Sequence, residues 1–273
     1  MRNVFYGFLI VFFVFQINAQ TSAWIKKEGT DILTRIRIPE NTIRVEADSN
    51  SFGHFLRHLN LKADGTSVKL YNGNLKYDQE VHVAIFDVTV GKKDLQQCAD
   101  ATMRLRAEYL FKQKRYDDIH FNFTNGFNAE YAKWRKGFRI SVKGNKVTWV
   151  KTAGTSDARK DFEKYLEMVF SYAGTLSLSR ELKKKELKEL QIGDLFIQGG
   201  SPGHAVIVVD VVKDKKTGKK LFMLAQSYMP AQDIHILKNP SSNSNSPWYS
   251  LKEGDELITP EWEFSPNSLF SFD

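Results

Sequence analysis

The sequence is poor in cysteine: Cys98 is the only one in 273 residues. No disulfide can form within the chain, which excludes the disulfide-stapled class of secreted domain. A lone thiol in an exported protein is buried, reactive or paired with a partner molecule. Cys98 is therefore a candidate functional residue.

Long apolar segments are also missing. The run from Val4 to Phe15 spans 12 residues, whereas a helix that crosses a bilayer needs about 20. Arg2 precedes this run and Ala19 follows it, a pattern typical of a secretory signal that is cleaved after Ala19. We therefore expect residues 1–19 to be a signal peptide and the mature chain to be exported, periplasmic or extracellular, without a stable membrane span. An uncleaved N-terminal anchor is the alternative.

A basic stripe interleaved with aromatic residues is absent as well. The chain carries 39 Lys and Arg against 32 Asp and Glu, a net charge of +7. The basic residues are scattered over Lys112–Arg115, Lys183–Lys185 and Lys213–Lys220. This distribution argues against a nucleic-acid partner. It is compatible with a weak preference for anionic cell-wall polymers or membrane surfaces.

The remaining residues, 20–273, are enough for a single mature domain with a sizeable core. Residues 20–50 are interpreted as an N-terminal arm. Apolar residues at helical spacing predict two main helices, over 95–115 and over 157–173. Several short alternating segments predict strands. We expect an α+β fold in which a mostly antiparallel sheet packs against the two helices.

The segment 193–237 has the clearest pattern. It contains three apolar runs separated by a glycine-rich turn, 199–203, and a charged turn, 213–220. This pattern predicts an antiparallel meander. His204 opens its central strand, and Gln226 closes the next strand.

Cys98, His204 and Gln226 form a candidate catalytic set. Asp94 is predicted to cap the first main helix, which places Cys98 in or near its first turn, where the helix dipole favours a thiolate. His204 could take the thiol proton, and Gln226 could fix the tautomer of the imidazole. Tyr228 follows closely in the sequence and is a candidate substrate-binding residue.

These residues resemble a known core. The strand that begins at Gly193-Asp194, the strand that opens with Gly203-His204, and the run from Leu221 to Gln226 are similar to the NlpC/P60 and amidase branches of the papain-like cysteine hydrolases. The resemblance covers about 45 residues. It implies a papain-like core that cleaves peptide or amide bonds in cell-wall material, with no metal and no other cofactor.

The sequence departs from that pattern in the position of the nucleophile. In NlpC/P60 proteins the nucleophile helix usually lies shortly before the strand that begins with Gly-Asp. Here the nearest helix, 157–173, lacks a cysteine, and Cys98 lies 106 residues before His204. Either the helix of Cys98 is the nucleophile helix and the intervening segment is an insertion, or the hydrolase core is degenerate and Cys98 is a small buried apolar residue.

Over its whole mature length the chain resembles a bacterial exported family, domain of unknown function 4846. The resemblance is carried by the segments LQQCADATMRLRAEYL, HFNFTNGF, YAGTLSLSREL, GDLFIQGGSPGHAVIVVD and LAQSYMPAQDIHILKNP. It implies membership of the family and lends no activity.

A second group of polar residues could bind a ligand. Trp134, near Asn122 and Asn125, could line a groove for a sugar or a peptide, or the three could be ordinary half-buried surface. His54 and His58 lie four residues apart on a predicted helix, but no third ligand is spaced to join them, so we predict no metal site. The competing functional hypothesis is a non-catalytic protein that binds an envelope polymer, glycan or peptide on a degenerate hydrolase fold.

Overall fold

The computed structural model describes residues 23–272. The predicted signal peptide, residues 1–19, lies outside the described part of the chain. The predicted N-terminal arm is described from Ala23 onward. The helices of this part of the chain are α1 (Ile32–Arg35), α2 (Phe52–Arg57), α3 (Cys98–Lys112), α4 (Tyr131–Arg135), α5 (Arg159–Tyr172) and α6 (Thr175–Glu181). The strands are β1 (Thr42–Arg44), β2 (His82–Ile85), β3 (His120–Asn122), β4 (Asn128–Glu130), β5 (Phe138–Lys143), β6 (Lys146–Lys151), β7 (Lys183–Lys184), β8 (Leu195–Gln198), β9 (His204–Asp214), β10 (Lys220–Gln226), β11 (His235–Leu237), β12 (Leu257–Ile258), β13 (Glu263–Phe264) and β14 (Leu269–Ser271).

The predicted meander forms the centre of an eight-stranded antiparallel sheet. The strand order is β2-β11-β10-β9-β8-β14-β7, and β1 pairs with the far end of β9. Ile197 lies opposite Ala205, and Ala225 lies opposite Ile207. The three meander strands therefore lie side by side, and His204 stands at the first position of the central one.

Both faces of the sheet are covered. Ala205, Ile207 and Val209 belong to the large core that contains α3 and α5. Val206 and Val208 point the other way, into a smaller core that the C-terminal segment closes. Because both faces are buried, β9 is apolar almost without interruption rather than alternating.

The predicted α+β class with a mostly antiparallel sheet is confirmed, and α3 and α5 are the two longest helices. The predicted arm contains α1 and β1, and it is tied to the sheet because Thr42 pairs with Asp214 at the end of β9. No helix within residues 23–272 is long and apolar enough to cross a membrane.

Two helix boundaries differ from the prediction. The first main helix begins at Cys98 with Gln97 as its N-cap, because the carboxylate of Asp94 instead accepts hydrogen bonds from the Gln97 amide and the backbone N–H of Ala231. Gly174 has an extended φ of 177° and serves as the N-cap of α6. It therefore separates α6 from α5, which ends at Tyr172.

Asp210 interrupts the apolar run of β9 and is fully buried. Its two oxygens accept hydrogen bonds from Arg57 at 2.7 Å and Arg44 at 2.8 Å. This pair of arginines ties α2 and β1 to β9, because a buried carboxylate needs charged partners to offset its lost hydration.

Candidate functional site

The turn before β9 fixes the position of His204. A Cβ atom on Gly203 would lie 2.4 Å from the Thr175 hydroxyl and 2.5 Å from the carbonyl oxygen of Gly200. Only glycine therefore fits between the turn and the start of α6. The chain leaves this constriction directly into β9, so the backbone of His204 is held in place on both sides.

His204 and Gln226 form a buried hydrogen-bonded pair. The imidazole Nε2 lies 2.8 Å from Oε1 of Gln226, and the two side chains are 2% and 0% exposed. A carbonyl oxygen only accepts, so Nε2 carries the proton in this pair. The neutral imidazole then has its lone pair on Nδ1, the nitrogen that a general base would use.

Three aromatic rings enclose the imidazole. The ring centroids of Tyr228, Trp262 and Phe264 lie 5.0, 5.2 and 5.8 Å from that of His204. Burial among these rings lowers the pKa of His204 to about 4, and the hydrogen bond to Gln226 offsets only part of that shift. At pH 7 the imidazole is therefore neutral.

Cys98 is the first residue of α3 and is partly exposed. The helix packs against β9, and hydrogen bonds from the backbone N–H groups of Ala99 and Ala205 favour its thiolate. Ala205 directly follows His204, so the fold brings the thiol and the imidazole strand together across 106 residues of sequence. Within residues 23–272 no hydrogen bond joins the thiol to the imidazole.

The thiol is nevertheless not acidic. Burial and the neighbouring Asp100 raise the pKa of Cys98 to about 11, which outweighs the backbone N–H groups. The helix dipole was expected to lower this pKa, but desolvation of the sulfur is the larger effect. Cys98 therefore rests as a protonated thiol at neutral pH.

Asp100 is itself an unusual acid. It lies in the first turn of α3, where one oxygen accepts the backbone N–H of Gln97. Its other oxygen is buried and has no hydrogen-bond partner. Burial raises the pKa of Asp100 well above its ordinary value, so a carboxyl group two residues from the thiol tends to remain protonated.

The predicted ligand-binding residues occupy two places. Tyr228 lies at the site, where its ring is tilted by 59° against the ring of His204. Asn122 and Asn125 lie on and after β3, where they contact Glu181 and Asn145. Trp134 is buried at 4% exposure, and its indole N–H donates to the carbonyl oxygen of Asp161. Asn122, Asn125 and Trp134 therefore do not lie beside His204. Trp134 is a core residue.

The remaining predicted histidine pair is a surface feature. The rings of His54 on α2 and of His58, the C-cap residue of that helix, stack with their centroids 3.9 Å apart. No group of three or more His, Cys, Asp or Glu side chains suited to a metal ion occurs within residues 23–272.

The residues that surround Gln226 carry no signal in the sequence. Its amide nitrogen donates to Oε2 of Glu261 at 2.7 Å and lies 3.4 Å from Nε2 of His235. Lys76 forms an ion pair with the other oxygen of Glu261. His235 is the first residue of β11 and is fully buried. No local motif marks Glu261 or Lys76, because tertiary pairing alone brings them to the site.

Comparison with known proteins identifies the family. The family model described as "Domain of unknown function (4846)" matches residues 32–270, so the chain belongs to that family. No curated protein and no solved structure matches the chain.

Proposed function

We propose that this member of the domain of unknown function 4846 family is an exported cysteine hydrolase that cleaves peptide or amide bonds in cell-envelope material, with a papain-like arrangement of its site. Cys98 is the nucleophile, His204 the general base and acid, and Gln226 the residue that orients the imidazole. The observation that carries the proposal is the hydrogen bond from His204 to Gln226 at the start of β9, the strand against which the helix of Cys98 packs.

The position of α3 bears on the departure from the NlpC/P60 order. Residues 120–181, between α3 and the meander, form two separate hairpins and three helices. They leave the contact between α3 and β9 intact. This arrangement supports the alternative in which α3 is the nucleophile helix and the intervening segment is an insertion.

The reaction begins from two neutral groups. Nδ1 of His204 takes the proton of the Cys98 thiol while the sulfur attacks the carbonyl carbon of the substrate. The imidazolium then donates that proton to the leaving amine, and the C–N bond breaks to leave a thioester. Water, deprotonated by the same Nδ1, hydrolyses the thioester and restores the thiol. Gln226 keeps the second nitrogen protonated throughout.

The raised pKa of the thiol supports proton transfer during attack instead of a preformed thiolate–imidazolium pair. A thiol with a pKa of about 11 and an imidazole with a pKa of about 4 both remain neutral in the free protein. Catalytic hydrogen bonds that are long in a free enzyme often tighten when substrate binds. The mechanism therefore requires the sulfur and Nδ1 to come together while the sulfur attacks an electrophile, whether this is the substrate carbonyl or an alkylating reagent.

The same two pKa values favour a second candidate, a non-catalytic envelope-binding protein. A protonated, poorly nucleophilic thiol and an imidazole enclosed by three aromatic rings also suit a degenerate site. In that case the polar cluster around Gln226 has only a structural role, and ligand binds without being cleaved.

Mass spectrometry of reaction mixtures separates the two candidates. The mature protein is incubated with peptides released from bacterial cell wall, alongside the variants Cys98→Ala and His204→Asn, with His58→Asn as a surface-histidine control. The hydrolase predicts new amine and carboxylate termini with the wild type and the control, and none with the two site variants. Binding of the same peptides by wild type and Cys98→Ala without any cleavage would favour the non-catalytic protein.

A further inference from the structure

The orientation of the Gln226 amide decides which nitrogen of His204 can act as a base. With Oε1 toward His204, Nε2 of the imidazole carries the proton and Nδ1 has the lone pair. With the amide turned by 180°, its nitrogen would face Nε2, which would then have to accept. The proton would move to Nδ1, and Nδ1 could then no longer accept a proton as the general base.

Two acceptors face the nitrogen of this amide. Glu261 accepts from it at 2.7 Å, and a carboxylate cannot donate a hydrogen bond in return. His235 is the second acceptor, because its Nδ1 donates to the carbonyl oxygen of Asp233 at 2.8 Å and leaves Nε2 as a lone pair. The contact to His235 is longer, at 3.4 Å, and it is not assisted by charge, so Glu261 is the stronger constraint.

Lys76 holds the carboxylate in this position. The ion pair between Lys76 and Glu261 is largely buried, at 8% and 16% side-chain exposure. The backbone carbonyl of Glu261 also lies 3.3 Å from the hydroxyl of Tyr228, and the Lys76 ammonium lies 5.4 Å from the centre of the Tyr228 ring. Glu261 is therefore anchored on two sides and is not free to turn away from Gln226.

We propose that Glu261 is a positioning residue that, held by Lys76, fixes the amide of Gln226 and through it the Nε2–H tautomer of His204. Glu261 does not touch the imidazole and acts only through Gln226. The catalytic meaning of this chain of contacts rests on the proposed function. The tautomer itself is a property of the free protein and does not depend on any substrate.

The variant Glu261→Gln tests the proposal with almost no change in shape. Lys76 needs an acceptor, so the carbonyl oxygen of the new amide faces Lys76 and its NH2 group faces Gln226. Two donors would then meet, and rotation of Gln226 relieves the conflict by presenting its oxygen. We expect the fraction of His204 in the Nδ1–H tautomer to rise at least tenfold above the wild-type value.

The double variant Lys76→Met/Glu261→Gln is the rescue. Without the ammonium group, the amide at position 261 can turn its oxygen to Gln226, and the Nε2–H tautomer of His204 should return. Glu263→Gln is the matched control, because Glu263 lies two residues away, is exposed and loses the same charge. It should leave the tautomer at the wild-type value.

The measurement is the pair of imidazole ¹⁵N chemical shifts at pH 7 in protein labelled with ¹⁵N-histidine, with His204 assigned from the spectrum of His204→Asn. An Nδ1–H tautomer in the wild type would overturn the proposal without any variant. A Glu261→Gln spectrum identical to the wild type would overturn it as well. A tautomer shift in a protein that cleaves no envelope peptide would uphold the positioning role while contradicting the hydrolase, so the two failures are distinguishable.

Discussion

The buried histidines should make the folded state sensitive to acid. Burial lowers the pKa of His204 to about 4 and that of His235 to about 3, from an ordinary value of 6.5. Below pH 6.5 the unfolded chain binds more protons at these positions than the folded chain, so the free energy of unfolding falls as the pH falls. This loss continues until the pH reaches the folded pKa values.

The magnitude follows from these values. Between pH 7 and pH 5 each histidine should lower the free energy of unfolding by about 2 kcal/mol, because the unfolded imidazole becomes protonated and the folded one does not. His235→Asn removes one of these titrations while retaining a donor near the carbonyl oxygen of Asp233. The drop from pH 7 to pH 5 should therefore be about 2 kcal/mol smaller in this variant than in the wild type.

Urea unfolding at pH 7 and pH 5, followed by circular dichroism, measures the difference directly. The absolute stability of the variant is not the readout, since loss of the ring also leaves a cavity; only the change with pH is compared. His58→Asn is the control because His58 is exposed at the C-cap of α2. If His235→Asn and the wild type lost the same stability between the two pH values, the reasoning would be refuted.

Two further substitutions test buried carboxyl groups by the same unfolding assay. Burial raises the pKa of Asp100, so the folded wild type loses stability as the pH rises above about 4, the pKa of the unfolded chain. Asp100→Asn does not titrate, and its stability relative to the wild type should therefore rise with pH, by up to about 1.4 kcal/mol per pH unit. An equal difference between the two proteins at pH 5 and pH 8 would contradict this prediction. Asp210→Asn should lose about 3–5 kcal/mol, because the buried Arg57 and the half-buried Arg44 would surround a neutral group. A loss below 1 kcal/mol, close to that of a surface control such as Asp117→Asn, would show that the arginines find water instead.

The meander could be predicted because its signals are local. The glycine-rich turn before His204 and the charged turn after Asp214 separate three apolar runs, and neighbouring runs joined by short turns pair with one another. The pairing of β14 with β8 and of β11 with β2 could not be predicted in this way. These strands have three or four residues each, and their partners lie far away in the sequence.

The candidate site was predictable to the same extent. His204 and Gln226 share a hairpin, so their proximity follows from the turn between them. The approach of Cys98 depends on how α3 packs across the sheet, which no local pattern specifies. Glu261 lies 35 residues after Gln226 in a segment without a motif, and only the closed fold places its carboxylate on the amide.

The helix start shows how a local signal can be overridden. Asp94 has a good capping side chain, but a tertiary contact with the backbone of Ala231 occupies its carboxylate. The helix therefore begins three residues later than predicted, at Cys98. This shift makes Cys98 the first residue of α3, the helix that packs against β9.

Hydrolysis at this site requires the imidazole of His204 to take the proton of the Cys98 thiol. The most direct test is the rate of alkylation of Cys98 by iodoacetamide between pH 6 and pH 10, in the wild type and in His204→Asn. Cys98 is the only cysteine in the chain, so incorporation measured by intact mass reports on this thiol alone.

An unassisted thiol with a pKa of about 11 reacts about tenfold faster with each pH unit, because only the thiolate is nucleophilic. We predict that His204→Asn follows this line, whereas the wild type reacts at least tenfold faster at pH 7 and shows a much weaker pH dependence. Identical rates for the two proteins across the whole range would contradict the account.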